Sequence, residues 1–375
     1  MNTKVTQVPK SFLTRWLVAL AAGLFATTAT AVEHNYLLVA APGVRNYLEY
    51  GGHGLLVFDV EHEHRFVKRI ALGGLDAAGK PINVKGICGS AATGRVYIST
   101  IQTLMCVDLA SEKLLWEKEY PGGCDRMSMT PDGKQIYLPS FEGPHWHVLN
   151  QDGEIIAKLV PNSGAHNTVV SLDGREAYLA GLKSPLLSIV DTATNKITRT
   201  SGPFSASIRP FTIDGRRQRC IVCVNDLLGF EVGDLQSGKK LWRVEVAGYQ
   251  MGAVKRHGCP SHGVGLTPNE KEIWVVDAHN QSVHIFDAQA QPPKQLDSIK
   301  LADEPGWITF SPDGKFAYPS TGQVIDVATR KVLLQLTDET GARVQSEKML
   351  PVTMRDDKVI SVADQFGVGR AQTNQ

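Results

Sequence analysis

The stretch Ser311-Pro-Asp-Gly-Lys-Phe-Ala-Tyr318 joins a turn signal to the start of an apolar run. Asp-Gly marks a tight turn between strands, because glycine takes the positive φ that such turns require. The pattern returns upstream as Thr130-Pro-Asp-Gly-Lys-Gln-Ile-Tyr137, Ser171-Leu-Asp-Gly-Arg-Glu-Ala-Tyr178, Thr212-Ile-Asp-Gly215 and Thr267-Pro-Asn-Glu-Lys-Glu-Ile-Trp274. Its Asp or Asn positions, 132, 173, 214, 269 and 313, lie 41, 41, 55 and 44 residues apart. Strand signals that recur every 40 to 50 residues or so predict the blades of a β-propeller.

A second marker counts the blades. An apolar pair, then Asp or Asn, then a short turn with Thr, Ser or Lys occurs at Asp59, Asp108, Asn150, Asp191, Asp234, Asp287 and Asp326. Seven markers predict seven blades, all-β, each of four antiparallel strands, and no helix-period segment of useful length lies between them. The first repeat opens at Tyr36-Leu-Leu-Val-Ala-Ala, which matches the second strand of the others, so its innermost strand is missing. Leu350 to Ser361 resembles the first part of a repeat and is expected to supply that strand, so that the N- and C-terminal strands close the ring and leave no open edge.

The Ser-Pro-Asp-Gly-Lys-x-x-Tyr motif, with Val190-Asp-Thr-Ala-Thr-Asn-Lys196, resembles the YVTN-type seven-bladed β-propeller proteins over nearly the whole chain after residue 31. The resemblance implies the fold but no single activity, since related propellers include lactonases, lyases, dehydrogenase subunits and binding scaffolds.

Charge narrows the partners. Lys4, Lys10 and Arg15 fall in the first 31 residues, where there is no Asp or Glu; without them 36 basic residues face 38 acidic ones. A net charge of −2 lacks the basic excess that nucleic acid or an anionic membrane calls for. The same 31 residues have the layout of an export signal: a basic segment, an 11-residue apolar run from Trp16 to Ala26, and small residues ending Ala29-Thr30-Ala31. Cleavage after Ala31 is expected, leaving 32–375 as one propeller domain, periplasmic or secreted, monomeric and without a membrane span.

Six cysteines, Cys88, Cys106, Cys124, Cys220, Cys223 and Cys259, would permit up to three disulfides in such a compartment. Cys220-Ile-Val-Cys223 lies in a β-branched run, where residues three apart point to opposite faces, so it reads as buried structure rather than a redox motif.

Aligning the repeats on their turns places Asp125, His166, Ser207, His262 and Gly306 at one position, followed by Arg126, Asn167, Ile208, Gly263 and Trp307, with Lys85 near the same place in blade two. These residues are expected at the mouth of the central channel. Six of the 11 histidines, His53, His145, His166, His257, His262 and His279, fall on that loop face. The longest insertions join it, Ala41 to Gly54 with Tyr47 and Tyr50, and Val246 to Gly263; long loops on a rigid scaffold commonly carry function.

The pattern points to a pocket with His166 or His262 as catalytic base and Lys85, Arg126 and Arg209 holding an anion. Trp307, Tyr47, His53 and His145 complete the expected substrate contacts. A planar guanidinium fork suits a carboxylate, and an imidazole can remove a proton near neutral pH. The ligand expected is small, anionic or carbohydrate-like, and the chemistry that of a lyase or hydrolase on an acidic sugar or lactone. The bland alternative is that the histidines bond loop carbonyls and Trp307 plugs the channel. A divalent metal held by His257, Cys259, His262 and Asp125 is a further expectation, although no sequential zinc spacing is present. No dinucleotide fingerprint, phosphate loop, nucleophile elbow or haem-attachment motif occurs. From another class, a non-catalytic scaffold would present the loop face to a protein or an envelope polymer.

Overall fold

The computed structural model describes residues 1–4 and 32–371, so most of the proposed export signal lies outside the described residues. From Glu33 onward the described chain is strand and turn, with no helix. It forms seven antiparallel sheets. Six have four strands in chain order, from Val84–Ser90 through Lys113–Glu119 in blade two to Ile308–Phe310 through Lys331–Gln335 in blade seven.

The repeat motif explains the turns. The hydroxyl of Thr130, Ser171 or Ser311 donates to the carboxylate two residues on, at 2.6 Å, and that carboxylate accepts the backbone N–H two residues further. Gly133, Gly174 and Gly314 follow at φ 75°, 70° and 72°, where a side chain would be strained. At the other marker, Asp108, Asp191 and Asp326 each accept from the backbone N–H and hydroxyl of Ser111, Thr194 and Thr329.

Seven apolar clusters fill the seven junctions between neighbouring blades, the last joining blade seven to blade one through Tyr318, Val324, Leu37, Val39 and Met349. The large second-strand aromatics Tyr97, Tyr137, Tyr178, Trp274 and Tyr318 are buried in these junctions. Cys220 and Cys223 belong to different junctions, on the two faces of strand Arg219–Val224, as the alternation predicts. All six cysteines are buried free thiols.

Blade one is the composite. Strand Met349–Arg355 pairs with Glu33–Ala41 from Glu33 opposite Arg355 to Val39 opposite Met349, and Gly54–Asp59 and Arg65–Ile70 complete the blade. The expected closure by both ends of the chain is therefore present. A fifth strand, Lys358–Val362, was not anticipated. After it the tail crosses the lower end of the channel. Gln365 accepts from Ile87 N, Gly367 O accepts from Thr212 and Leu266, and Gly369 and Arg370 donate to Ile213 and Pro268. Phe366 packs edge-on against Trp307 at 5.6 Å, and both are almost fully buried.

Closure by the C-terminal strand makes Leu350 a core residue, and its truncation to Ala should cost about 2–5 kcal/mol in urea unfolding. The half-exposed Ile360 on the added fifth strand should change stability by no more than about 0.5 kcal/mol when truncated, the range for surface sites. Equal effects would contradict this assignment.

Candidate functional site

Three of the expected site residues owe their direction to local breaks in strand pairing. Lys85 sits at the register shift between Val84 and Gly86, His166 between Ala165 and Asn167, and Arg209 between Ile208 and Phe211. Each break lies at the upper start of an innermost strand, where an extra residue is pushed out of the ladder and its side chain is re-aimed. Asp125 and Arg126 come from the loop entering blade three, and His257 and His262 from the long loop before blade six.

All of these except the fully buried Asp125 line a pocket of about 220 Å³ at the channel mouth. Six cationic side chains, Arg45, Lys85, Arg126, Arg209, Arg256 and Lys348, face it against two carboxylates, Glu142 and Glu347. Glu347 and Lys348 were not expected. They enter from the loop before Met349–Arg355, an innermost strand whose following turn, Asp356-Asp357, has no glycine on which to align it.

Two networks organise the pocket. In the first, His166 Nδ1 lies 2.6 Å from Asp125 Oδ2 while Lys85 Nζ stands 3.4 Å from the other oxygen. Burial acts to raise the Asp125 carboxyl, but His166, Lys85 and Arg126 outweigh it and hold it at about 2. An ionised Asp125 fixes the proton on His166 Nδ1, leaving the Nε2 lone pair 3.4 Å from Arg126 Nη1. In the second network, Glu347 Oε2 accepts from Arg126 and from Lys348 Nζ, the latter at 2.8 Å, while Oε1 lies 2.9 Å from His257 Nδ1. Burial would raise Glu347, yet Lys348, Arg126 and His257 keep it ionised well below the usual range. Burial also draws Lys348 down to about 7, with Arg126 and Lys85 adding to the effect and Glu347 opposing it.

Several polar atoms on the lining are buried without partners: Arg126 Nε, Asn83 Oδ1 and His257 Nε2. Buried polar groups normally find a partner, so these mark unfilled binding capacity.

The remaining expected contacts lie elsewhere. Trp307 is 3% exposed and forms the floor, its ring capped by the Arg126 guanidinium at 4.3 Å, so it holds Arg126 rather than facing the cavity. Tyr47 packs on Tyr50, His53 bonds Gly73 O at 2.9 Å and His145 pairs with His147; none of the three lines the pocket. Of the expected metal ligands, His257 and His262 do converge, with Glu347 completing a trio whose ligand atoms lie within 4.8 Å. Asp125 instead serves His166, and Cys259 donates to Ser261 O with its thiol pushed up to about 12 by burial. Because Arg126 and Lys348 already bind Glu347, a divalent ion at the trio would compete with both and sit beside the fixed charge of Arg126; the arrangement favours an ion-pair network over a metal.

Burial lowers the proton affinity of His166, and lowers that of His262 further. Unfolding restores the ordinary imidazole value of about 6.5, so below that pH the unfolded chain binds more protons and the native state loses stability. The urea midpoint should fall between pH 7 and pH 5, and fall less in a His166→Gln, His262→Gln double variant. An equal slope in the variant would remove these two groups as the cause.

No family model and no curated protein matches the chain. Among solved structures, hydrazine synthase of Kuenenia stuttgartiensis is similar, with a TM-score of 0.58 over 76% of this chain and 89% of that one, at 13% sequence identity. A likeness at that identity concerns the β-propeller fold alone.

Proposed function

We propose that this exported, YVTN-like propeller binds a small carboxylate ligand, an acidic sugar or its lactone, at the channel mouth and acts on it by general-base catalysis. The observation that carries the reading is the excess of six cations over two carboxylates around one small cavity, with Arg126 Nε buried and unpartnered among them. The cavity, of about 220 Å³, has room for one sugar ring at the reacting position, with any further residues of a short oligomer outside the mouth. A periplasmic or secreted location fits such a substrate and the export-like leader.

In this reading Arg209 and Lys85 clamp the carboxylate, Arg126 adds its free Nε–H, and His166 Nε2 removes the proton from the carbon next to the carboxylate. The electron pair released forms a carbon–carbon double bond as the bond to the neighbouring leaving oxygen breaks. Lys348, poised near neutrality, returns a proton to that oxygen. With a lactone, the same His166 would take a proton from an attacking water.

Calorimetry with galacturonate and with galactose provides the test. Galacturonate should bind and galactose should not, and Arg209→Gln should weaken galacturonate about tenfold or more, the usual cost of losing a charge-assisted bond. With an oligogalacturonide, His166→Gln should keep binding while losing the ultraviolet absorbance of the unsaturated product. Equal affinity for the neutral sugar would defeat the reading. Acid binding without turnover in the wild-type protein would leave a recognition module.

A further inference from the structure

On the same loop face as the pocket, but at the periphery of blade three, three donor atoms converge that the proposed chemistry does not use. His145 Nε2 and His147 Nε2 are 3.0 Å apart, and Pro121 O lies 3.2 Å and 3.1 Å from them. Both histidines are buried, at 6% and 3% exposure. They stand two apart at the start of strand Trp146–Leu149, so both side chains leave the chain on one side. Their rings meet edge to face, with centroids 4.5 Å apart.

Hydrogen bonding accounts poorly for this triangle. A neutral imidazole donates from one nitrogen and accepts at the other. If both rings carry the hydrogen on Nε2, two N–H groups crowd onto one carbonyl oxygen from nitrogens 3.0 Å apart. If only one does, its N–H is shared between the other ring's Nε2 and Pro121 O, and the second ring's nitrogen is left against the carbonyl oxygen. Either arrangement leaves one repulsive contact, and His147 Nδ1 is in addition buried without a partner. A cation at the centre would be attracted by all three atoms.

The separations also select the kind of ion. With metal–nitrogen bonds of about 2.05 Å, nitrogens 3.0 Å apart subtend an angle of about 94°, whereas a tetrahedral site needs them about 3.3–3.4 Å apart. Three donors all near right angles to one another form a facial set, which tetragonal Cu(II) takes with the two imidazoles equatorial and the carbonyl axial, with Ni(II) next and tetrahedral Zn(II) disfavoured. The Pro121 carbonyl is presented by a turn through Gly122 and Gly123, at φ 91° and 74°, and a Cβ on Gly122 would press on His145 Cε1 at 3.3 Å. The nearest cross-strand cation, Lys158 opposite His147, is exposed and free to turn into water.

We propose that His145, His147 and Pro121 O form a binding site for a divalent ion of tetragonal preference, Cu(II) foremost, with solvent completing the coordination. None of the three lines the central pocket, so the site stands whether or not that pocket binds carboxylates.

The test is titration of metal-free protein with Cu(II), read by electron paramagnetic resonance with electron spin-echo modulation. A His34→Ala background removes the imidazole nearest the amino-terminal segment. One tight equivalent with an axial signal and modulation from two equatorial imidazoles is expected. His145→Asn and His147→Asn should each lose that equivalent, while His257→Asn keeps it. A wild-type protein with no tight equivalent, or one that survives both substitutions, overturns the site. Should the variants fail to fold, the modulation is read in the His257→Asn protein, where the pocket pair is broken: two coupled imidazoles uphold the proposal, and one or none refutes it.

Discussion

The structure depends on one seam, the pairing of Glu33–Ala41 with Met349–Arg355. A propeller blade buries both faces only if it has a neighbour on each side, so a ring of seven needs seven filled junctions. Blade one lacks an innermost strand of its own until the far end of the chain supplies it. With that strand in place, Leu350 and Val352 enter the junction with blade two and Met349 the junction with blade seven. The seam therefore completes two junctions and removes the open edges that would invite pairing with other chains.

It also builds the pocket. The loop that leads into the closing strand delivers Glu347, which binds Arg126 from blade three and His257 from the loop before blade six. Ring closure and assembly of the charged site are thus one event. The network spans the channel, so its geometry is fixed by the rigid ring rather than by any single loop, as preorganised electrostatics require.

The architecture could be read almost completely from the sequence because its signals are local. A hydroxyl, a carboxylate and a glycine at fixed spacing make the same turn wherever they occur, and the shared second-strand aromatics occupy equivalent junctions. Lys85, Arg126, His166 and His262 followed from that repetition, since equivalent positions in a ring converge on its axis. What escaped notice did so for physical reasons. Glu347 and Lys348 precede a strand whose turn, Asp356-Asp357, lacks the usual glycine, so alignment had no anchor there. Trp307 holds the expected height in the channel, but the tail beneath it and Arg126 above turn a presumed ligand platform into packing. Tyr47 and His53 belong to a long insertion whose path no repeat dictates. The outward displacement of Lys85, His166 and Arg209 at strand irregularities likewise has no signature in residue type.

The tail that runs from Asp364 to Ala371 across the lower end of the channel, with Phe366 under Trp307, shuts what would otherwise be a tunnel. Traffic through the ring is consequently ruled out: whatever enters past Arg45 and Arg256 must depart by the same gate. A ligand held among these cations would therefore be reached and released on one face only, the face that carries the long loops.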